Sequence, residues 1–193
     1  QLIIMTHNYE FFILIRDWFN EICRLKRGMK HSDLTKWRIY LVDRKTQTES
    51  NVREIPLELI VFRSEYHYLF SILREYVANS ITDYAVIYNL PNIARRFMEI
   101  FGGIMIPSYM GLHQKMKILF QDETERDRVW KFLNYYSHGG SAARALIFQD
   151  ASECASVVEA CLDAVKRRDA EHFKALLEVY SDGNNLTRGL REF

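Results

Sequence analysis

Proline, cysteine and glycine are all scarce in this 193-residue sequence, with three prolines, three cysteines and eight glycines. The cysteines, Cys23, Cys154 and Cys161, include no C-x-x-C pair, so free thiols in a reducing cytoplasm are expected and a structural zinc site is not. No apolar run approaches the roughly 18 residues that cross a bilayer, and the first residues lack the basic, apolar, small-residue order of a signal peptide. A cytoplasmic protein without membrane contact is therefore expected. An excess of one charge is missing too: the formal net charge is +1, so a nucleic-acid partner would have to be met by a local patch. No G-x-x-x-x-G-K-[ST] occurs anywhere, so the chain is not expected to bind and hydrolyse ATP by itself.

Apolar and aromatic residues are plentiful. At 48% hydrophobic and 13% aromatic, the chain can bury a real core, as one domain or one domain plus a fragment. It opens on Gln1-Leu2-Ile3-Ile4-Met5, a short apolar run that reads as a buried strand. Tyr9 to Arg27 then reads as a helix with Phe12, Ile15, Phe19 and Ile22 on one stripe and Arg16, Asp17, Glu21 and Arg24 away from it. Trp37 to Val42 is a second strand candidate, and Asp43 to Arg53 is a polar loop and the expected boundary.

From Leu57 onward the periodicity is helical. Helices are expected at Ser64 to Ala78, Leu90 to Phe101, Leu112 to Phe120, Glu123 to Tyr136, Ser152 to Arg168 and Asp169 to Tyr180, with loop composition beginning at Ser181. Phe97, Phe101, Trp130, Phe132 and Leu133 are the expected shared core. The fold class is thus mainly α, a short α/β remnant at residues 1–56 followed by an α-helical domain at 57–193.

The segment LPNIARRFMEIFGG, Leu90 to Gly103, organises this reading. Pro91 and Asn92 suit a helix start and Gly102-Gly103 a stop, which puts Arg95 and Glu99 on one face. Spacing alone equally permits a solvated i,i+4 ion pair, contributing about 0.2–0.5 kcal/mol. Three other places could carry chemistry. His7 follows the opening strand, where α/β proteins hold ligands at the carboxyl end of the sheet. Across Asn134 to Ser141 a helix ends in a polar, Gly-rich turn exposing His138, which could also be a helix cap interacting with the dipole. Arg167 and His172 have the R-x4-H spacing of a class of ribonuclease domains, a spacing that chance produces often. Between Leu90 and Arg144 eight basic residues face five acidic ones, including Lys115, Lys117 and Arg144, whereas Asp150 to Tyr180 has four against seven. The first stretch is the better candidate for phosphate contact, beside the alternative of ordinary solvated faces.

LIIMTHNYEFF resembles the last core strand and switch-histidine segment of ABC-type ATPases from bacterial defence systems. RSEYHYLF, LPNIARRFMEIFGG and WKFLNYYSHGGS resemble, in that order, the C-terminal region of the large ATPase family that includes the anticodon nucleases. The resemblance runs through Ser141 and then fades. It implies the C-terminal portion of a longer ATPase, with residues 1–56 at the edge of the ATPase core and 57–193 related to HEPN ribonucleases. Carried over by position, the implied nuclease residues are Arg95 or its neighbour Arg96, Glu99 and His138, and the switch histidine is His7. Arg96, Lys115, Lys117 and Arg144 would be the RNA-binding cations. The implied cofactors, ATP and Mg, belong to the complete ATPase and not to this chain.

Metal-free RNA cleavage fits those residue types. The 2′-hydroxyl is the nucleophile, so the enzyme needs a base, an acid for the leaving 5′-oxygen and a cation for the phosphorane. The resemblance also leaves open a non-catalytic helical module that couples the ATPase to a separate effector. Expected partners are therefore RNA (tRNA), the remainder of the ATPase, a second copy in a homodimer or larger complex, or that effector.

Overall fold

The computed structural model describes residues 2–25, 38–79, 83–137 and 151–191. Among these the chain is mainly helical, with eight helices and one two-stranded antiparallel sheet near the N-terminus, as the composition and periodicity require. It divides into two compact units, Gln1–Arg63 and Ser64–Phe193.

In the first unit, α1 (Tyr9–Leu25) is followed by β1 (Tyr40–Arg44), β2 (Ser50–Glu54) and the short α2 (Leu57–Val61). The opening apolar run does not form the expected strand. Leu2, Ile3 and Met5 are more than 70% exposed, and the run pairs with neither β1 nor β2, the strands among the described residues. Thr6, His7 and Asn8 act instead as the start of α1. Asn8 Oδ1 accepts from the Phe11 N–H at 2.9 Å, and Thr6 Oγ1 accepts from the Asn8 N–H at 3.0 Å.

The polar loop expected from Asp43 to Arg53 is half strand. Val42 and Val52 face each other across the ladder, and Arg53 pairs with Asp43. The short β-branched positions sit among polar ones, so sequence alternation understates the strand. Arg16, placed by periodicity on the solvated side, is only 5% exposed. Its guanidinium donates to the Ile60 carbonyl and to Asp17, and the Tyr9 hydroxyl donates to the Phe62 carbonyl at 2.7 Å.

The second unit contains α3 (Glu65–Asn79), α4 (Tyr84–Met105), α5 (Leu112–Leu119), α6 (Glu123–Ser137), α7 (Ala151–Arg168) and α8 (Ala170–Arg191). Helix α4 is its axle and packs against α3, α5, α6 and α7. Ile87, Leu90, Ala94, Phe97, Met98 and Phe101 are buried along it, and Phe97 stacks on Tyr66 of α3 at 5.0 Å. Phe132 and Leu133 join this core, and Trp130 packs half-buried at its margin.

Helix α4 begins six residues before Leu90 and runs past both glycines, so Pro91 is neither its start nor Gly102-Gly103 its stop. Asp83 is the true cap, accepting from the Ala85 N–H at 2.9 Å. Pro91 inside a helix costs a backbone hydrogen bond, which its burial among apolar neighbours offsets. Gly102 serves a close approach: a Cβ built there would stand 3.3 Å from Cδ of Lys115 on α5. Helix α8 likewise continues through the segment from Ser181 that has loop composition.

Candidate active site

The arginine pair lies on the half of α4 that faces α3 and α6. Arg95 Nε donates to Glu99 Oε1 at 3.0 Å, the i,i+4 contact expected from spacing. Its Nη1 also reaches Asn134 Oδ1 on α6 at 3.4 Å, so the guanidinium spans two helices. Arg96 is held by a different carboxylate: Nε and Nη2 each donate to Glu65 of α3 at 3.1 Å, while Nη1 stands 4.0 Å from Glu99. The forked hydrogen bond that Arg96 donates to Glu65 raises the Arg96 pKa above its already high ordinary value. The result is a polar chain, Glu65, Arg96, Glu99, Arg95 and Asn134, laid across α3, α4 and α6. Arg95 is about one-fifth exposed and Glu99 about one-third, so both can meet a ligand from solvent.

Of the other expected site residues, His138 and Arg144 lie outside the described residues. Asn134, four positions before His138, is on the last described turn of α6. Lys115 is 8% exposed with its stem against Gly102, which leaves it a packing residue with little surface for a phosphate; Lys117 is exposed. His7 is exposed in the first unit, on the bend before α1.

Residues 1–163 match the AAA domain family. The chain belongs to the AAA-domain family. No curated protein and no solved structure matches it. This AAA-domain chain carries an ATPase-related region, and His7, Arg95, Glu99 and Asn134 all fall inside the matched stretch, which ends within α7. The family's nucleotide chemistry does not fit the residues at hand. With no G-x-x-x-x-G-K-[ST] in the sequence, nothing here builds the backbone cradle and lysine that hold a triphosphate, and a single exposed histidine is no substitute. Among the described residues no helix is long and apolar enough to cross a membrane.

Sequence reasoning missed Glu65 and Tyr66, and it took Asn134 only as the beginning of the segment that holds His138, not as a partner of Arg95. Glu65 and Asn134 sit inside RSEYHYLF and WKFLNYYSHGGS, but their partners are 31 and 39 positions away, a distance at which no local spacing rule operates. Tyr66 makes a hydrogen bond of 2.8 Å with His172 Nε2, inside an aromatic cluster with Phe97 and Phe101. Burial pushes the Tyr66 phenol well above its ordinary range. The R-x4-H spacing does not bring its two ends together: Arg167 pairs with Glu125 at 2.9 Å while His172 turns to Tyr66.

Proposed function

We propose that this AAA-domain chain is the C-terminal part of an ATP-regulated, anticodon-nuclease-like defence ribonuclease that cleaves tRNA, with a HEPN-like helical half carrying the site. The observation that supports this reading is the reach of Arg95 from Glu99 to Asn134. It ties the carboxylate-guanidinium pair of α4 to the last described turn of α6, four positions before His138 in the sequence.

In this reading Glu99 and His138 share the proton transfers, one taking the 2′-hydroxyl proton and the other protonating the leaving 5′-oxygen. Arg95 supplies positive charge to the phosphorane, and Asn134 holds its guanidinium plane. Arg96 serves as a second phosphate contact, once RNA displaces Glu65 from an exposed ion pair that solvent screens. ATP with its Mg ion is bound by other residues of the complete ATPase, with His7 on the nucleotide-facing surface. A homodimer or larger complex completes the assembly.

The second reading is a non-catalytic helical module that couples the ATPase to a separate effector. The double hydrogen bond of Glu65 to Arg96 favours it, because it makes the same residues a structural strut.

A tRNA-cleavage assay on the complete system, run in chelator, separates the two. Arg95→Ala, Glu99→Ala and His138→Ala should each lower cleavage by about 10²–10⁴-fold while folding and ATP turnover persist. His7→Ala should instead lower ATP turnover and leave the helical unit folded. Full cleavage by all three site variants would assign the cutting to a partner.

A further inference from the structure

The hairpin of the first unit has two unlike faces. Side chains alternate across a strand, so the register puts Leu41 and Asp43 with Asn51 and Arg53 on one face, and Tyr40, Val42 and Arg44 with Ser50, Val52 and Glu54 on the other. The first face settles its charges locally, because Arg53 reaches diagonally across the ladder to Asp43. The second does not. Tyr40, Val42 and Val52 are each more than half exposed, and the charges stand at opposite ends, Glu54 beside Tyr40 and Arg44 beside Ser50. That length of ladder holds them about 14 Å apart, too far for an ion pair within one hairpin. Arg44 donates to the carbonyls of Thr46 and Gln47, which pins its guanidinium at the turn without neutralising it. Among the described residues neither Arg44 nor Glu54 has an ion-pair partner.

A two-stranded sheet is marginal in water unless a second layer covers an apolar face. Here β1 and β2 pack chiefly on each other. The charges say what the second layer is. A partner of one sign would satisfy one end of the face and repel the other, whereas a second copy satisfies both. A two-fold axis in the sheet plane and across the strands stacks one hairpin on another with strand directions reversed and the valines in the centre. The turn end of each copy then meets the open end of the other, so Arg44 comes to Glu54 and to the ring of Tyr40, twice.

We propose that this face is a contact between two copies of this chain, with Val42 and Val52 as its apolar centre and Arg44 pairing with Glu54 across the two-fold axis. Two five-residue strands offer far less than the ~800 Å² per partner of a stable interface, so the contact is a weak one. It draws on no residue of the helical unit and stands apart from the ribonuclease reading. Its failure would leave the cleavage assay on Arg95, Glu99 and His138 to be decided by its own result.

Sedimentation velocity of the full chain at concentrations from about 10 µM to about 1 mM tests it. Wild type should dimerise reversibly in that range, and Val42→Asp should weaken association by about tenfold or more. Arg44→Glu and Glu54→Arg should each stay monomeric alone. Mixed in equal amounts they should associate within about threefold of wild type, because each supplies the sign that the other needs. Helical circular dichroism should be the same for all, since no substitution lies in a helix.

A wild type that stays monomeric throughout overturns the proposal and leaves the face to another partner. So does a dimer that keeps its affinity in Val42→Asp, which would place the contact elsewhere. Should Arg44→Glu disturb the turn that Arg44 holds, Glu54→Arg decides, because Glu54 has no ion pair within the chain to lose: wild-type association by that variant overturns the pairing across the axis.

Discussion

The two units of this chain hold themselves together by different physics. The helical unit has a continuous apolar core drawn from α3 to α8, with Phe97, Phe101, Leu73, Leu90 and Leu133 fully buried. The N-terminal unit has almost none: Phe62 is its one buried apolar side chain among the described residues, and Leu2, Ile3, Met5, Leu14 and Trp18 are exposed. What links α1 to the segment around α2 is polar. The Tyr9 hydroxyl and the Arg16 guanidinium donate to carbonyls at Phe62 and Ile60, and Arg63 pairs with Asp17 at 3.1 Å. Such contacts each contribute about 0.5–1.5 kcal/mol, while burying one large apolar side chain contributes about 1.5–3 kcal/mol. The helical unit is thus the rigid part, and it is the part on which Arg95, Glu99 and Asn134 are positioned.

The sharpest way to break that contrast is to remove an apolar side chain from each side. Phe97→Ala deletes a fully buried side chain that stacks on Tyr66 and lies 6.0 Å from Phe70. It should cost about 3–5 kcal/mol in urea unfolding followed by helical circular dichroism. Val52→Ala, in the hairpin and 67% exposed, removes only a cross-strand pair with Val42 and should cost under about 1 kcal/mol. Comparable losses would show that the hairpin carries more of the stability than its burial implies.

The same contrast decides what could be read from sequence. Helical periodicity marked α3, α5, α6 and α7 closely, because each buries one stripe against a neighbour within its own length. It failed where the deciding partner was remote or absent. Leu2 to Met5 has the composition of a buried strand, yet it pairs with no described strand and its side chains stay in solvent. Pro91 and Gly102-Gly103 are punctuation in most contexts; here burial of Leu90, Ala94 and Phe101 carries the helix through them. At the candidate site the Arg95–Glu99 contact was legible because it is local, and the links to Glu65 and Asn134 were not, because packing of three helices sets them.

Alkali offers a milder way to sharpen the comparison. Burial pushes the Cys161 thiol on α7 up to about 12 from its ordinary 9.0, with Glu125 acting in the same direction. The folded state therefore keeps this proton when the unfolded chain has lost it. Stability from the group is intact below pH 9.0 and declines as pH rises from there toward about 12. Tyr66 and Tyr76 are pushed the same way, so most of these buried acids lie in the helical unit, against Tyr9 in the other. Urea unfolding of wild type against Cys161→Ala, measured from pH 7 upward, should show a smaller alkaline loss in the variant. A native thiol that reacts readily with an alkylating reagent at neutral pH would contradict the burial on which this rests.

The smallest expected effect tests the axle of the rigid unit. Gly103 is exposed and inside α4, and a Cβ built there meets nothing within 4 Å. Replacing it by alanine restricts the unfolded chain and improves helix propensity, so Gly103→Ala should stabilise by about 0.5–1 kcal/mol. Gly102→Ala offers the same backbone gain but must push Lys115, whose stem is packed at 3.3 Å and whose side chain is buried. It should therefore recover less than Gly103→Ala in thermal unfolding. Equal gains would mean that α5 yields easily and that the close approach at Gly102 is incidental. A loss at Gly103 would mean that the backbone there needs glycine's freedom.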